Sequence, residues 1–306
     1  MSSNVKLLLE SKQRSLGAFS VRRVLPSHKQ RMVGPFIFFD HMGPADFAPG
    51  TSVDVRPHPH VCLATITYLF EGGLLHRDTV GTEIEIRPGA ANWMTAGKGI
   101  SHSERSPDDL IKSRQTLHGI QTWVALPKSH EEVDPRFDHH PADTLPEKLI
   151  NGINTRVIAG SAYEMTSPVD YPHPIIYVAY DAISEGRVDL PDFEERCLYV
   201  VTGEMTFDGQ IYTEGQMIIL EAGPMPAISL TADTKVMLAG GAPMDGPRYI
   251  EWNFVASDKD RIEQAKAEWR ASIAGGWVDT PFTMPPNEHE YIPLPGDPEA
   301  EPQPGS

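Results

Sequence analysis

Cysteine is scarce in this chain: only Cys62 and Cys197 occur among 306 residues. The two lie far apart, and each sits inside an apolar run typical of a strand, so we predict that both are reduced core residues. A redox role for Cys62 is the alternative hypothesis.

Long hydrophobic runs are also missing. No stretch reaches the roughly 18 apolar residues that a membrane-spanning helix needs. The N-terminal apolar block is only Leu7 to Leu9, which is too short for the hydrophobic region of a secretory signal. We therefore expect no membrane span and a cytoplasmic protein.

Positive charge is in short supply, with 26 Lys and Arg against 42 Asp and Glu and a formal net charge of −16. Such a chain repels phosphate backbones, and the small basic group around Arg22 and Arg23 is typical of a solvated face. Direct binding of nucleic acid is disfavoured, and the acidic surface favours protein contacts over DNA.

Metal-ligand residues are present in two short pairs. His58 and His60 lie in R-P-H-P-H, and His102 and Glu104 lie in G-K-G-I-S-H-S-E. Residues two apart in a strand share a face, so each pair can direct both side chains to one point. An H-x-H pair alone is weak among 12 histidines, but the second pair, after a segment of strands and turns, strengthens the prediction.

These four residues are the predicted metal ligands. Three imidazoles and one carboxylate suit Fe(II), Mn(II), Ni(II), Co(II) or Zn(II), and six-coordinate iron would keep open positions for a small ligand. The donor set by itself leaves the choice among these divalent ions, copper included, open.

Other polar residues are weighed against structural roles. Asp40 and His41 follow the strand predicted from Val33 to Phe39 and are either catalytic or part of a structural turn, which we favour. We interpret His118 as a structural polar residue rather than a fifth ligand. The doublet His139 and His140 is predicted to be exposed and without metal, because adjacent side chains of an extended chain diverge.

Short alternating strands recur through both halves of the chain, the first of them predicted over residues 17–25. The pattern predicts an all-β protein of two barrel or sandwich domains, and Asp208-Gly209 predicts a hairpin turn in the second. When residues 199–203 are aligned with residues 68–72, the places of His58 and His60 fall on Asp189 and Pro191. The second half is therefore predicted to form a similar barrel or sandwich that lacks the metal ligands.

Helical spacing begins near residue 257. Ser257 is the predicted N-cap with Asp260 three residues on, Ile262, Ala265 and Trp269 are the predicted buried face, and the helix is predicted to end near residues 275–276. Residues 278–306 hold eight prolines and an acidic excess, which predicts an extended arm or disorder. We thus predict a metal-binding domain over 1–135, a linker over 136–150, a ligand-free domain ending in the helix over 151–277, and the tail.

The chain resembles the pirins, a family of two cupin domains (bicupins). The resemblance rests on motifs between residues 17 and 275, namely V-G-P-F-I-F-F-D-H-M-G-P, R-P-H-P-H, Y-L-F-E-G-G, P-G-A-A-N-W-M-T-A-G-K-G-I-S-H-S-E, L-H-G-I-Q-T-W-V-A-L-P and G-G-A-P-M-D-G-P. It implies two cupin-type barrels and one iron held by His58, His60, His102 and Glu104. Where many pirins have Arg-Gly-Phe-Glu after H-P-H, residues 61–64 of this chain are Val-Cys-Leu-Ala, which changes the wall near the metal.

The resemblance implies two functions. Some pirins act as quercetin 2,3-dioxygenases. This suggests that the chain is a metal-dependent oxidoreductase that cleaves a flavonol-like substrate with O2 and releases CO. Glu104 would then be the catalytic base. Other pirins are linked to transcription cofactors or metabolic enzymes, which suggests an iron-binding, redox-sensing regulator acting through protein partners. We favour the enzyme because open metal positions inside an apolar barrel suit small-molecule chemistry; a metal-stabilised cupin with incidental oxygenase activity is the third alternative.

Overall fold

The computed structural model describes residues 4–15 and 19–298. The start of the first predicted strand, at residues 17 and 18, and the tail beyond residue 298 lie outside this part of the chain. Strands dominate, as predicted for an all-β protein, and the one long helix is C-terminal. Within the described residues, every helix is too short or too polar to traverse a bilayer.

Strands β1 to β13 are, in chain order, Val5–Glu10, Lys12–Ser15, Ser20–Leu25, Phe36–Phe47, Asp54–His60, Leu63–Glu71, Leu74–Asp78, Glu83–Ile86, Ala91–Thr95, Ile100–Arg105, Gln115–Ala125, Arg136–His140 and Glu147–Ile150. Strands β14 to β26 are Ile153–Ala159, Ser161–Ala162, Met165–Thr166, Ile175–Ala182, Gly186–Val188, Glu195–Thr202, Glu204–Phe207, Gln210–Thr213, Gln216–Leu220, Ile228–Leu230, Lys235–Gly241, Tyr249–Glu251 and Phe254–Ala256. The helices are α1, Asp108–Ile111, and α2, Lys259–Ala274, and Lys128–His130 forms one 3₁₀ turn. Residues 136–150, predicted to be a linker, thus contain the strands β12 and β13.

The chain divides into two compact units built from discontinuous segments. One, which we call the N-half unit, comprises Ser15–Ser20, Met42–His139 and Asp245–Ser306. The other, the C-half unit, comprises Met1–Arg14, Val21–His41 and His140–Met244. The domain boundaries at residues 135, 150 and 277 stay a prediction.

The N-half unit contains two larger antiparallel sheets and the two-stranded sheet β25-β26. The four-stranded sheet has the strand order β5-β10-β7-β8, and the largest runs β12-β9-β6-β11 and on into β4. Most side chains of β6 and β11 are buried on both faces of these strands. The four-stranded sheet carries all four predicted ligands, two on β5 and two on β10.

The C-half unit contains a seven-stranded sheet, β1-β22-β19-β24-β17-β14-β13, and a four-stranded sheet, β18-β23-β20-β21. Its interior is filled by a cluster of buried apolar side chains that includes Ile176, Val178, Leu198 and Leu238. The predicted hairpin is confirmed, because Asp208 and Gly209, with φ of 49° and 76°, join β20 to β21 in the conformation that such two-residue turns require.

The predicted turn at Asp40 and His41 is wrong, because β4 runs unbroken from Phe36 to Phe47. Both side chains are buried, and each contacts a polar side chain of another strand. Asp40 accepts two hydrogen bonds of 2.8 Å from Arg23, and His41 Nδ1 lies 3.0 Å from the hydroxyl of Tyr199. Because these partners satisfy the polar groups, the chain can continue as a buried strand.

Helix α2 confirms the predicted buried face, with Ile262, Ala265 and Trp269 packed inside. The predicted cap is off by one residue: Asp258, not Ser257, is the N-cap and accepts a hydrogen bond from the backbone N–H of Asp260. Ser257 is engaged elsewhere, since its hydroxyl donates to Glu131 Oε2 at 2.7 Å and its N–H to Oε1 at 2.8 Å.

Trp269→Ala is expected to lower the free energy of unfolding by about 3–5 kcal/mol, the usual cost of truncating a large core aromatic residue. Trp269 is fully buried, its ring centroid lies 5.0 Å from that of Trp277, and its indole N–H donates to the carbonyl of Ile292 at 3.1 Å. Urea denaturation followed by circular dichroism measures the loss. Glu263→Ala, on the exposed face of the same helix, should change stability by less than about 0.5 kcal/mol; equal losses in both variants would contradict the assignment of Trp269 to the core.

Candidate metal centre

Strand register brings three of the predicted ligands together. His102 on β10 lies directly opposite His58 on β5, and His60 shares the face of His58 because it is two residues further along. All three imidazoles are buried, and one ligand nitrogen from each lies within 4.8 Å of the other two. Within residues 4–15 and 19–298, this is the one group of three or more His, Cys, Asp or Glu side chains gathered in that way.

Backbone carbonyls set the tautomers of two of these histidines. His58 Nδ1 lies 3.0 Å from the carbonyl of Arg56, and His60 Nδ1 lies 2.8 Å from the carbonyl of Asn253. A carbonyl only accepts hydrogen bonds, so Nδ1 carries the proton in both rings and Nε2 presents a lone pair. This is the usual arrangement around histidines that bind a metal through Nε2.

The spacing of the nitrogens fits a single ion. His60 Nε2 and His102 Nε2 are 3.1 Å apart, whereas two nitrogens at about 2.1 Å from one ion and at right angles to each other would lie about 3.0 Å apart. His102 Nδ1 is buried and has no hydrogen-bond partner in the described part of the chain. The donor set therefore fits a divalent metal.

Burial keeps these imidazoles neutral. It lowers the pKa of His58 to about 4, although the hydrogen bond to the carbonyl of Arg56 opposes the shift. Burial, together with the neighbouring imidazoles, also holds the pKa values of His60 and His102 well below their ordinary value. At neutral pH all three rings can therefore offer a lone pair to a cation.

Glu104 lies on the same face of β10 but outside the group of three histidines. Its Oε1 accepts a hydrogen bond of 2.6 Å from the amide of Gln121 on β11. Burial raises the pKa of Glu104 to about 7, although hydrogen bonds from Gln121 and Thr67 oppose the shift. The structure thus holds the carboxylate beside the imidazoles through a partner on another strand, and its place among the ligands stays a prediction.

A buried His–Asp pair next to the imidazoles was missed by the sequence reasoning. His76 and Asp78 on β7 lie opposite Glu104 and His102 in the sheet, and His76 Nε2 lies 2.9 Å from Asp78 Oδ2. The His76 ring is 5.2 Å from the ring of His102 and stacks on Phe137 at 4.4 Å. The available signal was His-x-Asp in a predicted strand, which has the same two-residue spacing as the ligand pairs.

The segment in which this chain departs from the pirin pattern is part of the hydrophobic core. Val61, Cys62, Leu63 and Ala64 are all fully buried, and the first two pack in one cluster with Trp269 of α2. Cys62 and Cys197 are both free and buried, so the prediction of core cysteines is confirmed. Burial raises the pKa of the Cys62 thiol far above its usual range, which disfavours the reactive thiolate that a redox role needs.

Three other histidines, His118, His139 and His140, were predicted not to bind the metal, and they lie outside the group of three. His118 is buried on β11 with its ring centroid 5.1 Å from that of Phe70, and it is outside the group of three. His139 is half-buried rather than exposed, because it lies on β12 and its Nδ1 is 2.7 Å from Asn92 Oδ1. His140 is half-buried as well, so the prediction of an exposed doublet is wrong.

Asp189→Asn is expected to leave the metal content unchanged. Asp189 is the exposed residue of the C-half unit that takes the place of His58 when the two halves are aligned, and no metal-ligand group includes it among the described residues. Plasma emission analysis of the purified variant measures the outcome. If Asp189→Asn lost its metal, the metal would be bound in the C-half unit and not at His58, His60 and His102.

Both halves of the chain match family models of known proteins. Residues 18–124 match the family model described as Pirin, and residues 177–274 match the model described as Pirin C-terminal cupin domain. A pirin-like protein of Caulobacter vibrioides is 46% identical over 297 residues, covering 95% of this chain and 99% of the relative. A Pseudomonas aeruginosa protein named "putative quercetin 2,3-dioxygenase" is 36% identical, covering 84% and 81%. The crystal structure of a quercetin 2,3-dioxygenase from Acinetobacter baumannii superposes with a TM-score of 0.87 at 32% identity, covering 97% of each chain.

Proposed function

Because this chain belongs to the pirin family and has its two cupin domains, we propose that it is an iron-dependent dioxygenase. The substrate class is a flavonol such as quercetin, whose central ring is cleaved with O2 and release of CO. The observation that carries the proposal is the buried set of three neutral imidazoles beside a buried carboxylate. Quercetin dioxygenase names among the relatives support the choice of substrate.

His58, His60 and His102 would hold the ion, with Glu104 as the fourth ligand. Fe(II) is the proposed ion, and Mn(II), Ni(II), Co(II), Zn(II) or copper are alternatives, since nitrogen and carboxylate ligands accept all of them. When bound, such an ion supplies a Lewis acid for the oxygens of the flavonol and a centre for reaction with O2. The C-half unit contributes no ligand to this proposal.

Glu104 is the proposed catalytic base. The carboxylate accepts the proton of the flavonol 3-hydroxyl, and the amide of Gln121, which donates to Oε1, keeps it oriented. A carboxyl group with a pKa of about 7 is well matched to taking and releasing a proton near neutral pH. A Glu104 bound to the ion would have to release it in order to accept this proton, and the position of Glu104 outside the three-histidine group favours such an exchange.

An aromatic side chain lies against the candidate metal centre, which favours an aromatic substrate. The indole of Trp123 contacts the His60 ring edge-to-face at a centroid distance of 4.9 Å. In such a buried setting the electrostatic interaction of Glu104 with a bound hydroxyl would be stronger than in water.

The test is anaerobic loading with Fe(II), followed by oxygen uptake and CO release in the presence of quercetin. The matched control substrate is a flavone without the 3-hydroxyl, which offers no proton to Glu104 and should consume no oxygen. Stoichiometric iron binding without flavonol-dependent uptake would overturn the enzyme proposal. The next hypothesis would then be a redox-sensing regulator, tested by partner capture in each oxidation state of the iron.

A further inference from the structure

The C-terminal arm, defined as residues 278–298, has no strand or helix, yet it packs closely within the N-half unit. We propose that this arm positions the metal ligands: Glu288 ties β10 to β7 from the face opposite the imidazoles and so sets the affinity and geometry of the metal centre. The inference rests on the proposed metal centre but not on the identity of the substrate.

Glu288 is the main tie. It is buried, its Oε1 accepts a hydrogen bond of 2.6 Å from Ser103 Oγ, and its two oxygens accept bonds of 3.1 and 2.5 Å from Arg105. A third partner, Arg77 on β7, lies 3.4 Å away. Glu288 thus joins two neighbouring strands of the sheet that carries the ligands.

The residues that bind Glu288 alternate along their strands with the residues at the candidate metal centre. Ser103 lies between His102 and Glu104, and Arg77 lies between His76 and Asp78. Side chains of a strand alternate between its faces, so Glu288 contacts the outer face at the same level as the imidazoles on the inner face. A shift of β10 at this level would move His102 and Glu104 directly, and β7 is paired with β10 at the same level.

Two further hydrogen bonds connect the arm to residues next to ligands. The N–H of Ile292 donates to the carbonyl of Pro57 at 2.8 Å, and Pro57 precedes His58. The hydroxyl of Ser101 donates to the carbonyl of Thr283 at 2.6 Å, and Ser101 precedes His102. The arm therefore contacts the backbone or side chain beside His58, His102 and Glu104.

The arm is itself anchored at both ends. Phe282 is buried against Trp269 at a centroid distance of 5.5 Å, and its N–H donates to Ser272 of α2 at 3.0 Å. At the other end Asp297 accepts bonds of 2.7 and 3.0 Å from Arg270 of α2. Because α2 fixes the arm, Glu288 can act as a rigid partner for β10 and β7.

The charge of Glu288 is balanced where it lies. Burial alone would raise the pKa of this carboxyl, but the hydrogen bonds from Arg105 and Ser103 outweigh burial and hold the pKa below its ordinary value. The ionised carboxylate can therefore accept from both arginines and the serine together. Groups outside the first coordination shell that orient metal ligands in this way typically change metal affinity about 10–100-fold when they are removed.

The test uses Co(II) alone as the probe, because its visible absorption bands report ligand geometry and a chelator competition gives its dissociation constant. Glu288→Gln keeps the shape and removes the charge, and Ser103→Ala removes one hydroxyl as the milder change. Glu290→Gln is the matched control: it is exposed on the same arm and contacts the same Arg105 only at 3.4 Å. Near-ultraviolet circular dichroism confirms that each variant is folded.

We expect the Co(II) dissociation constant to rise about 10–100-fold in Glu288→Gln, with altered absorption bands. It should rise less in Ser103→Ala and change by less than about twofold in Glu290→Gln. A lower melting temperature with unchanged Co(II) affinity and bands would show a purely structural role and overturn the proposal. Failure of the wild-type protein to bind Co(II) would overturn both this proposal and the metal centre. If Co(II) affinity responds as expected but the Fe(II) protein consumes no oxygen with quercetin, the arm proposal stands and the dioxygenase proposal falls.

Discussion

His102→Ala is expected to abolish stoichiometric metal binding while the fold is retained. His102 is the residue that β10 contributes to the cluster, and its Nε2 lies 3.1 Å from that of His60. Removing it leaves the two imidazoles of β5 and the proposed fourth ligand Glu104, and the loss in affinity should exceed the roughly 10–100-fold that the loss of an outer-shell partner costs. Plasma emission analysis gives the metal content, and circular dichroism shows whether the strands remain.

His118→Ala is the matched control for that variant. It also removes a buried histidine from a strand of the N-half unit, but the His118 ring contacts Phe70 and is outside the cluster. The control should keep its full metal content. Full metal retention by His102→Ala would refute the site assignment, and equal losses in the two variants would point to general unfolding rather than to a lost ligand.

Glu104→Gln is expected to lower flavonol-dependent oxygen uptake by about 10²–10⁴-fold, the range that general acid–base groups contribute. Glutamine has the same size and can still accept the hydrogen bond that Gln121 donates at 2.6 Å, but it cannot take the proton of the 3-hydroxyl. The three imidazoles remain, so the variant should still bind iron, though less tightly. An oxygen electrode with parallel iron analysis separates the loss of the base from the loss of the metal.

Glu85→Gln provides the comparison for Glu104→Gln. Glu85 is an exposed carboxylate on β8 that pairs with Arg87, so this substitution makes the same chemical change away from the imidazoles. Its oxygen uptake should stay within about twofold of the wild-type rate, since exposed ion pairs contribute little. If Glu104→Gln retained wild-type uptake at full iron loading, another group would have to be the base.

Local patterns predicted the parts of this protein that depend on residues close together in the chain. The two-residue spacing of His58 and His60 was enough to place both rings on one face of a strand, because alternation is a property of every strand. The spacing of Ile262, Ala265 and Trp269 likewise predicted the buried face of α2, and Asp208-Gly209 predicted its hairpin. Each prediction needed only the geometry of a single element or turn.

Local patterns failed where a distant partner decides the outcome. Asp40 and His41 have turn chemistry by sequence, but Arg23 and Tyr199 satisfy them in the middle of a strand. Ser257 has the sequence of a helix cap, but Glu131 binds it and the next residue, Asp258, caps the helix instead. In both cases a side chain far along the sequence competes with the local hydrogen bond that the pattern assumes.

The sequence by itself determined the family, the all-β class and the candidate ligands, because motifs and alternation are local. Only the tertiary structure decided what surrounds those ligands: that Gln121 holds Glu104, that His76 and Asp78 lie beside His102, and that Glu288 of the proline-rich arm binds behind them. The physical reason is that cross-strand register and the pairing of buried charges arise from contacts between segments separated by many residues. No spacing rule within one segment contains that information.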